Sequence, residues 1–258
     1  MAVLLHGVLN GCRETLPERF ERKYYLSPVE TGVAYGLLSQ VCLPTRDYHS
    51  EQINSLYFDT RDLDQYERSD SGDYGKDKVR IRWYGEEEDL KGMQTVFVEL
   101  KSRRGFAGTK QRLRIEVHAD SLAGSSLGDG IVPRDFLMDT LARFGYCPPG
   151  LLFPVVSISY WRHRFIDFAT SQGVSLDTRI KSTMIIAGPG NGEKGLELPG
   201  GVVEIKGQHV SLSTPLSHTR MLHTDWTRFS KYSACIDAHN EKPGTLGRLS
   251  TSGRVARF

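Results

Sequence analysis

Strict alternation of basic and aliphatic residues in several short segments leaves this chain few ways to fold. Residues 76–84 set Lys76, Lys78, Arg80, Arg82 and Tyr84 against Val79, Ile81 and Trp83. A period of two belongs to a β-strand, whose successive side chains point to opposite faces. The division recurs at 95–103, where Glu99, Lys101 and Arg103 oppose Val96, Val98 and Leu100. It recurs at 110–118, where Lys110, Arg112, Arg114, Glu116 and His118 oppose Leu113, Ile115 and Val117. At 202–206, Glu204 and Lys206 oppose Val203 and Ile205; Arg162 and Arg164 share a face, as do Asp177, Arg179 and Lys181. Any one such strand reads as half-buried with a solvated side. As a set they read differently, because Arg and Lys dominate positions that Thr, Ser and Gln usually share. Side by side, these faces would repel one another. Closing the sheet with the basic face inward makes sense around a polyanion. The alternation thus predicts an α+β fold dominated by β: a closed antiparallel β-barrel tunnel with flanking helices over its apolar outer face. Such a tunnel binds phosphate through charge-assisted hydrogen bonds, with Arg supplying bidentate forks.

Glu-x-Lys occurs three times within these strands, as Glu21-Arg22-Lys23, Glu99-Leu100-Lys101 and Glu204-Ile205-Lys206. Residues i and i+2 of a strand lie on one face, roughly 6.5 Å apart. Each copy therefore offers a carboxylate beside an ammonium, a pairing suited to a ligand that carries both phosphates and a divalent metal.

Composition adds limits rather than direction. The 258 residues suit one large or two small domains, and 39% hydrophobic content suffices for a core. Lys plus Arg (33) nearly balance Asp plus Glu (31), so the placement of charge matters more than its sum. Cys12, Cys42, Cys147 and Cys235 form no C-x-x-C, which reads as reduced thiols in a cytoplasmic protein, without a zinc site or disulfide framework. No apolar run is long enough to span a bilayer, and the start lacks the basic and apolar regions of a signal peptide.

Residues 1–17 read as a lead-in, 18–239 as one tunnel domain and 240–258 as a disordered tail rich in Gly, Ser and Arg. Strands are predicted over 18–27, 53–59, 76–84, 94–104, 109–118, 153–168, 173–181 and 202–208. Helices are predicted from Pro28 to about Val41, with Val33, Leu37, Leu38 and Val41 on the apolar side, and over 134–145 ahead of Pro148-Pro149. Two short helices are expected after Thr214 and around 228–238, and a Gly/Pro-rich loop over 187–201.

The ordered motifs FERKYYL, SLYFDT, KVRIRWYG, VFVELK, SLDT, VVEIK and FSKY resemble the polyphosphate-polymerase (VTC) domain of the triphosphate tunnel metalloenzyme superfamily, over about residues 18–237. The resemblance implies an antiparallel tunnel that binds ATP and Mn²⁺ or Mg²⁺ and passes the γ-phosphoryl group to a growing polyphosphate chain, releasing ADP. It implies that Lys23, Arg80, Arg82 and Lys101 contact the triphosphate or product, as Lys231 and Ser230 of FSKY do from a helix. Glu204 would hold the metal. Glu21 is either a second ligand or an orienting group, and Glu99 orients its basic neighbours. Arg112, Arg114, Arg162, Arg164, Arg179 and Lys206 extend the basic lining. Larger members of the family carry a regulatory domain and a membrane anchor, so this sequence reads as a stand-alone catalytic module whose partner proteins are unknown. One position departs from the pattern: Gly173 stands where the family carries an arginine two residues before SLDT. Arg162, Arg164 and Arg179 are candidate substitutes.

Other signals are weaker. His218 and His223 have roughly zinc-like spacing but no further ligand. Asp59 and Asp62 read as helix caps, and Trp83, Tyr57 and Trp161 as packing residues. The acidic run Glu86–Asp89 reads as a hairpin tip, and the 187–201 glycines do not make a phosphate loop. Three further functions compete: a triphosphatase, in which water replaces the phosphate acceptor; a non-catalytic polyphosphate binder; and a nucleic-acid binder. The carboxylates on the basic faces disfavour the last.

Overall fold

The computed structural model describes residues 20–105, 107–185, 195–208, 211–219, 222, 229–240 and 256–257. In chain order the elements are β1 (Phe20–Leu26), α1 (Pro28–Val41), β2 (Cys42–Pro44), β3 (Ser50–Asp59), α2 (Asp64–Asp70), β4 (Gly75–Tyr84), β5 (Met93–Arg104), β6 (Ala107–His118) and α3 (Arg134–Arg143). They continue as β7 (Phe153–Asp167), β8 (Gly173–Met184), β9 (Gly195–Glu197), β10 (Gly201–Gly207), α4 (Thr214–His218), α5 (Lys231–His239) and β11 (Ala256–Arg257). The fold is mostly antiparallel β-sheet with a few helices. The described residues fall into two compact units, one of 53–158 with 183–185 and one of 20–52, 159–182 and the residues from 195 on.

In the first unit β3, β4, β5 and β6 pair antiparallel in sequence order, with the first part of β7 beyond β3. Short glycine-bearing connections suit this meander; Gly105, between β5 and β6, takes a φ of +58° that favours glycine. The aliphatic positions read from the sequence do form the buried face: Leu56, Val79, Ile81, Trp83, Val96, Val98, Leu100, Ile115 and Val117 pack together. Leu137 and Leu141 of α3 cover them.

In the second unit β10 lies between β1 and β8, with the later part of β7 beyond β8. Tyr24, Leu26, Val174, Leu176, Val203 and Ile205 form its apolar side, beneath Ala34 and Leu38 of α1. The start of α1 is strongly encoded. Ser27 accepts from the Glu30 backbone N–H, the Glu30 carboxylate accepts from Ser27 N–H, and Pro28 occupies the first turn. Its buried stripe differs from the expected one. Leu37 and Val41 pack inward beside Leu38 as expected, but Ala34 takes the place assigned to Val33, which is exposed.

Other expectations are corrected. Among the described residues, β6 has β5 as its one strand neighbour and β1 has β10, so within each unit that strand lies at a sheet edge. Charge alternation selects which side chains share a face; it does not decide whether edge strands meet. Along β8, Arg179 takes a φ of +50°, which interrupts the period of two. Asp177 is buried while Arg179 and Lys181 are exposed, so the shared face expected for the three is broken. Short strands β2 and β9 arise from register with their neighbours rather than from alternation. In the tail read as disordered, Ala256–Arg257 pairs with β9. The lead-in 1–17, most of that tail, part of the 187–201 loop, His223 and Cys12 lie outside the described residues.

Asp59, at the end of β3, caps α2 from outside the helix. Its carboxylate accepts from the backbone N–H of Gln65 (2.9 Å) and Tyr66 (3.0 Å), and of Thr60 (2.8 Å). Asp59 is fully buried, so these donors have no water to fall back on. Asp59→Ala is expected to cost about 2 kcal/mol or more of stability, measurable as a lowered urea midpoint, whereas Asp62→Ala is expected to cost little.

Candidate functional site

Directly paired residues of neighbouring strands lie on one face, which turns the registers of the first unit into a map of charge. One row runs Tyr57, Arg80, Glu99, Arg112; the next runs Lys78, Lys101, Lys110; a third runs Ser55, Arg82, Phe97, Arg114. Within these rows stands a single buried carboxylate, Glu99, which is 1% exposed. Arg80 reaches it with Nε (2.9 Å) and Nη2 (2.8 Å), and Lys110 Nζ with 2.5 Å. Arg112 Nε stands at 3.7 Å, its guanidinium 3.7 Å from the centre of the Phe97 ring. Burial pushes the Glu99 carboxyl up, but Arg80, Arg82 and Lys110 outweigh it and hold the group well below the usual carboxylate range. Arg82 is buried against Ser55 Oγ (3.2 Å), and Arg80 Nη1 donates to Tyr57 Oη (3.0 Å). Tyr57, read as a packing residue, is buried and also serves the polar face.

The second unit builds its polar face from β1, β10, β8 and β7. The register sets Lys23 opposite Glu204 and Glu204 opposite Ser175, with Asp177 two positions along β8. Glu204 Oε2 accepts from Lys206 Nζ (3.0 Å) and Arg162 Nη2 (3.2 Å); Oε1 lies 3.7 Å from Lys23 Nζ. Lys23 also pairs with Glu21 (3.0 Å) and donates to the Phe229 carbonyl (3.3 Å). Burial opposes ionisation of Glu204, yet Lys206, a hydrogen bond from Glu21, Lys23 and Arg162 together hold its carboxyl well below the ordinary value. Asp177, 0% exposed, takes Arg162 in a fork: Nε to Oδ1 at 2.6 Å and Nη2 to Oδ2 at 2.7 Å. Its Oδ2 also accepts from Lys231 Nζ at 2.5 Å. Burial again pushes this carboxyl up, but Arg162 and Lys231 hold it down at about 2.

The residues read as functional thus gather into two groups. Arg80, Arg82, Lys101 and Arg112 share the face around Glu99, with Arg114 an exposed outlier bound to Glu116 and Thr95. Lys23, Glu21, Glu204, Lys206, Arg162 and Lys231 share the other face. Arg164 lies apart, paired with Glu51 and bonded to the Tyr48 carbonyl. Arg179 is exposed, so of the three substitutes for the arginine missing at Gly173, Arg162 is the one bonded to Glu204. Ser230 precedes α5 rather than lying within it, and its Oγ accepts from Ser233 N–H as a cap. Lys110 and Asp177 were marked by alternation but given no role; each proves to be bonded into the centre of its cluster. Their signal was position, two residues from Arg112 and from Ser175.

Residues 18–240 match the VTC domain, and the chain belongs to that family. No curated protein matches it. Among solved structures it is similar to a protein described as a candidate adenylate cyclase from Bacillus halodurans, at 15% identity and a TM-score of 0.48, over 84% of this chain and 98% of that one. A second candidate adenylate cyclase, from Vibrio parahaemolyticus, is similar at 12% identity and a TM-score of 0.36, over 78% of this chain and 82% of that one. No helix among the described residues is long and apolar enough to cross a membrane.

Lys110 gives the first cluster a pH dependence. Burial is the main cause that draws its ammonium down to about 8; Glu99 opposes the shift and Arg80 adds to it. The cation is therefore present below about pH 8 and lost above it. Affinity for inorganic tripolyphosphate is expected to fall more steeply between about pH 7 and about pH 9 in the wild type than in Lys110→Arg, which stays charged. Titration calorimetry at several pH values checks this; parallel profiles for the two proteins would contradict it.

Proposed function

We propose that the chain is a metal-dependent polyphosphate polymerase that transfers the γ-phosphoryl group of ATP to the end of a growing polyphosphate chain. The observation that carries the reading is the row Lys78, Lys101, Lys110, three directly adjacent ammonium side chains on one sheet face of a VTC-domain chain. Adjacent ammonium groups concentrate positive charge on one face, to which a polyanion adds charge-assisted hydrogen bonds. The neighbouring row, with Arg80 and Arg112 on either side of Glu99, supplies planar forks for phosphate oxygens.

Phosphoryl transfer needs alignment and charge neutralisation more than a protein nucleophile. An oxygen of the acceptor's terminal phosphate forms the new P–O bond, the bond from the γ-phosphorus to the bridging oxygen breaks, and ADP leaves with that oxygen. On the face around Glu99, Arg80, Arg82 and Lys101 bind and orient phosphates, as Lys23 does on the face around Glu204, and such fixed charges offset charge that develops as the bond breaks. Arg112, Arg162, Lys206 and Lys231 extend the lining for product.

A divalent cation fits the donor chemistry. Glu21 and Glu204 are interacting acidic side chains on adjacent strands, a hard-oxygen pair once both are ionised. Among the described residues no three His, Cys, Asp or Glu side chains gather as a metal site. Mg²⁺ commonly takes one or two carboxylates and completes its shell from phosphates and water, and Mn²⁺ favours the same oxygen donors. Glu204, with Glu21 beside it, would hold the ion, which supplies charge neutralisation at phosphate oxygens when bound.

Incubation with ATP and Mn²⁺, with products resolved on a polyphosphate gel and ADP and free phosphate quantified, tests the reading. The wild type is expected to give a ladder with matching ADP, and Glu204→Ala to reduce it by roughly a hundredfold or more. ADP with free phosphate and no ladder would replace the polymerase with a triphosphatase. Gly173, which removes one cation of the family pattern, favours a second reading, a non-catalytic polyphosphate binder; tight binding without any ADP would establish it.

A further inference from the structure

We propose that Asp177 is a positioning residue: it locks Lys231 of α5 and Arg162 of β7 into one fixed pair of cations at the polar face of the second unit. This rests on the phosphate-binding reading above and assigns a role beyond it. Asp177 is 0% exposed and both its oxygens are occupied by those two residues. It therefore contacts no substrate itself; it acts through them.

The geometry shows what the clamp achieves. Lys231 is the first residue of α5, and its chain is otherwise free to rotate about four carbons. Asp177 Oδ2 fixes its Nζ, with the ring of Tyr160 below at 4.5 Å. The Arg162 guanidinium lies 5.4 Å from the same ring, and its Nη2 is shared between Asp177 and Glu204. One buried carboxylate thus sets the spacing between a cation from a helix, a cation from a strand and the carboxylate proposed to hold the metal. Each cation retains donor capacity. Lys231 spends one of three N–H groups on Asp177, and Arg162 Nη1 makes no hydrogen bond among the described residues. Holding such donors in place before the ligand arrives removes the entropy cost of ordering them during binding.

This arrangement also bears on Gly173, where the family pattern carries an arginine. A side chain there would start in ordinary van der Waals contact with the Lys206 carbonyl oxygen, 3.9 Å away, on the same strand face as Ser175 and Asp177. Arg162, on the neighbouring strand β7, is the cation that would stand in for the one missing at that position, and it is Asp177 that aims it.

A double-mutant cycle on the full chain tests the clamp, with inorganic tripolyphosphate as the probe in titration calorimetry. Lys231→Ala and Asp177→Asn are each expected to weaken binding roughly tenfold, in the range of a lost charge-assisted contact. The double variant is expected to be no weaker than the worse single one, because Asp177 acts through Lys231. Multiplicative losses would show an independent structural role and overturn the proposal. If Asp177→Asn does not fold, Asp177→Glu takes its place; it keeps the charge but moves it one methylene outward, and wild-type affinity in it would overturn the proposal. Hydrogen exchange separates this test from that of the proposed function, because it needs no ligand. The peptide carrying Lys231 is expected to exchange faster in Asp177→Asn, and unchanged exchange would overturn the clamp. Failure of the wild type to bind tripolyphosphate, with faster exchange in the variant, would sink the phosphate-binding reading and leave the clamp standing.

Discussion

A cation withdrawn from water loses on the order of several kcal/mol of solvation unless an anion stands beside it, and every other feature of this molecule's polar faces follows from that cost. Glu99 answers it in one unit; Asp177 and Glu204 answer it in the other. Each is buried, and each is held ionised by the basic residues it compensates. Glu99 faces Arg80, Lys110 and Arg112, and the adjoining row adds Lys78 and Lys101. The result is a surface on which buried carboxylates and basic side chains hold one another in their charged forms.

The helices and caps make this surface rigid. α3 and α1 seal the aliphatic sides of the two sheets, so that the charged sides face away from the cores. The FSKY segment shows how closely packing and chemistry are joined. Phe229 stacks on Tyr25 and offers its carbonyl to Lys23, Ser230 caps α5, Lys231 meets Asp177, and Tyr232 is buried. Four consecutive residues thus do four separate physical jobs, and three of them place the fourth.

Much of this was legible in the chain. The aliphatic positions of 76–84, 94–104 and 109–118 became the core of one unit, and Ser27-Pro28 with Glu30 announced α1. Asp59 was a recognisable cap, although it reaches across from the end of β3. Other features were hidden for identifiable reasons. β2 and β9 are too short to show a period, and exist because β7 and β8 offer them backbone partners. The left-handed conformation of Arg179 is a single-residue event that no alternation pattern predicts. Val33 and Ala34 exchanged roles in α1 because an apolar helix presents no clear polar side from which to infer its rotation.

By itself the sequence determined which residues share a face, because a strand's period of two is a property of the backbone and needs no partner. It determined the chain's membership of the VTC family for a similar reason, since the ordered motifs are local. Only the tertiary structure decided which of those charges meet. Asp177, Arg162 and Lys231 are separated by many residues in the chain, and register and helix placement bring them within hydrogen-bonding distance. Whether a basic side chain is spent on a neighbour, as Arg164 is on Glu51, or kept for a ligand depends on distances that no linear pattern contains.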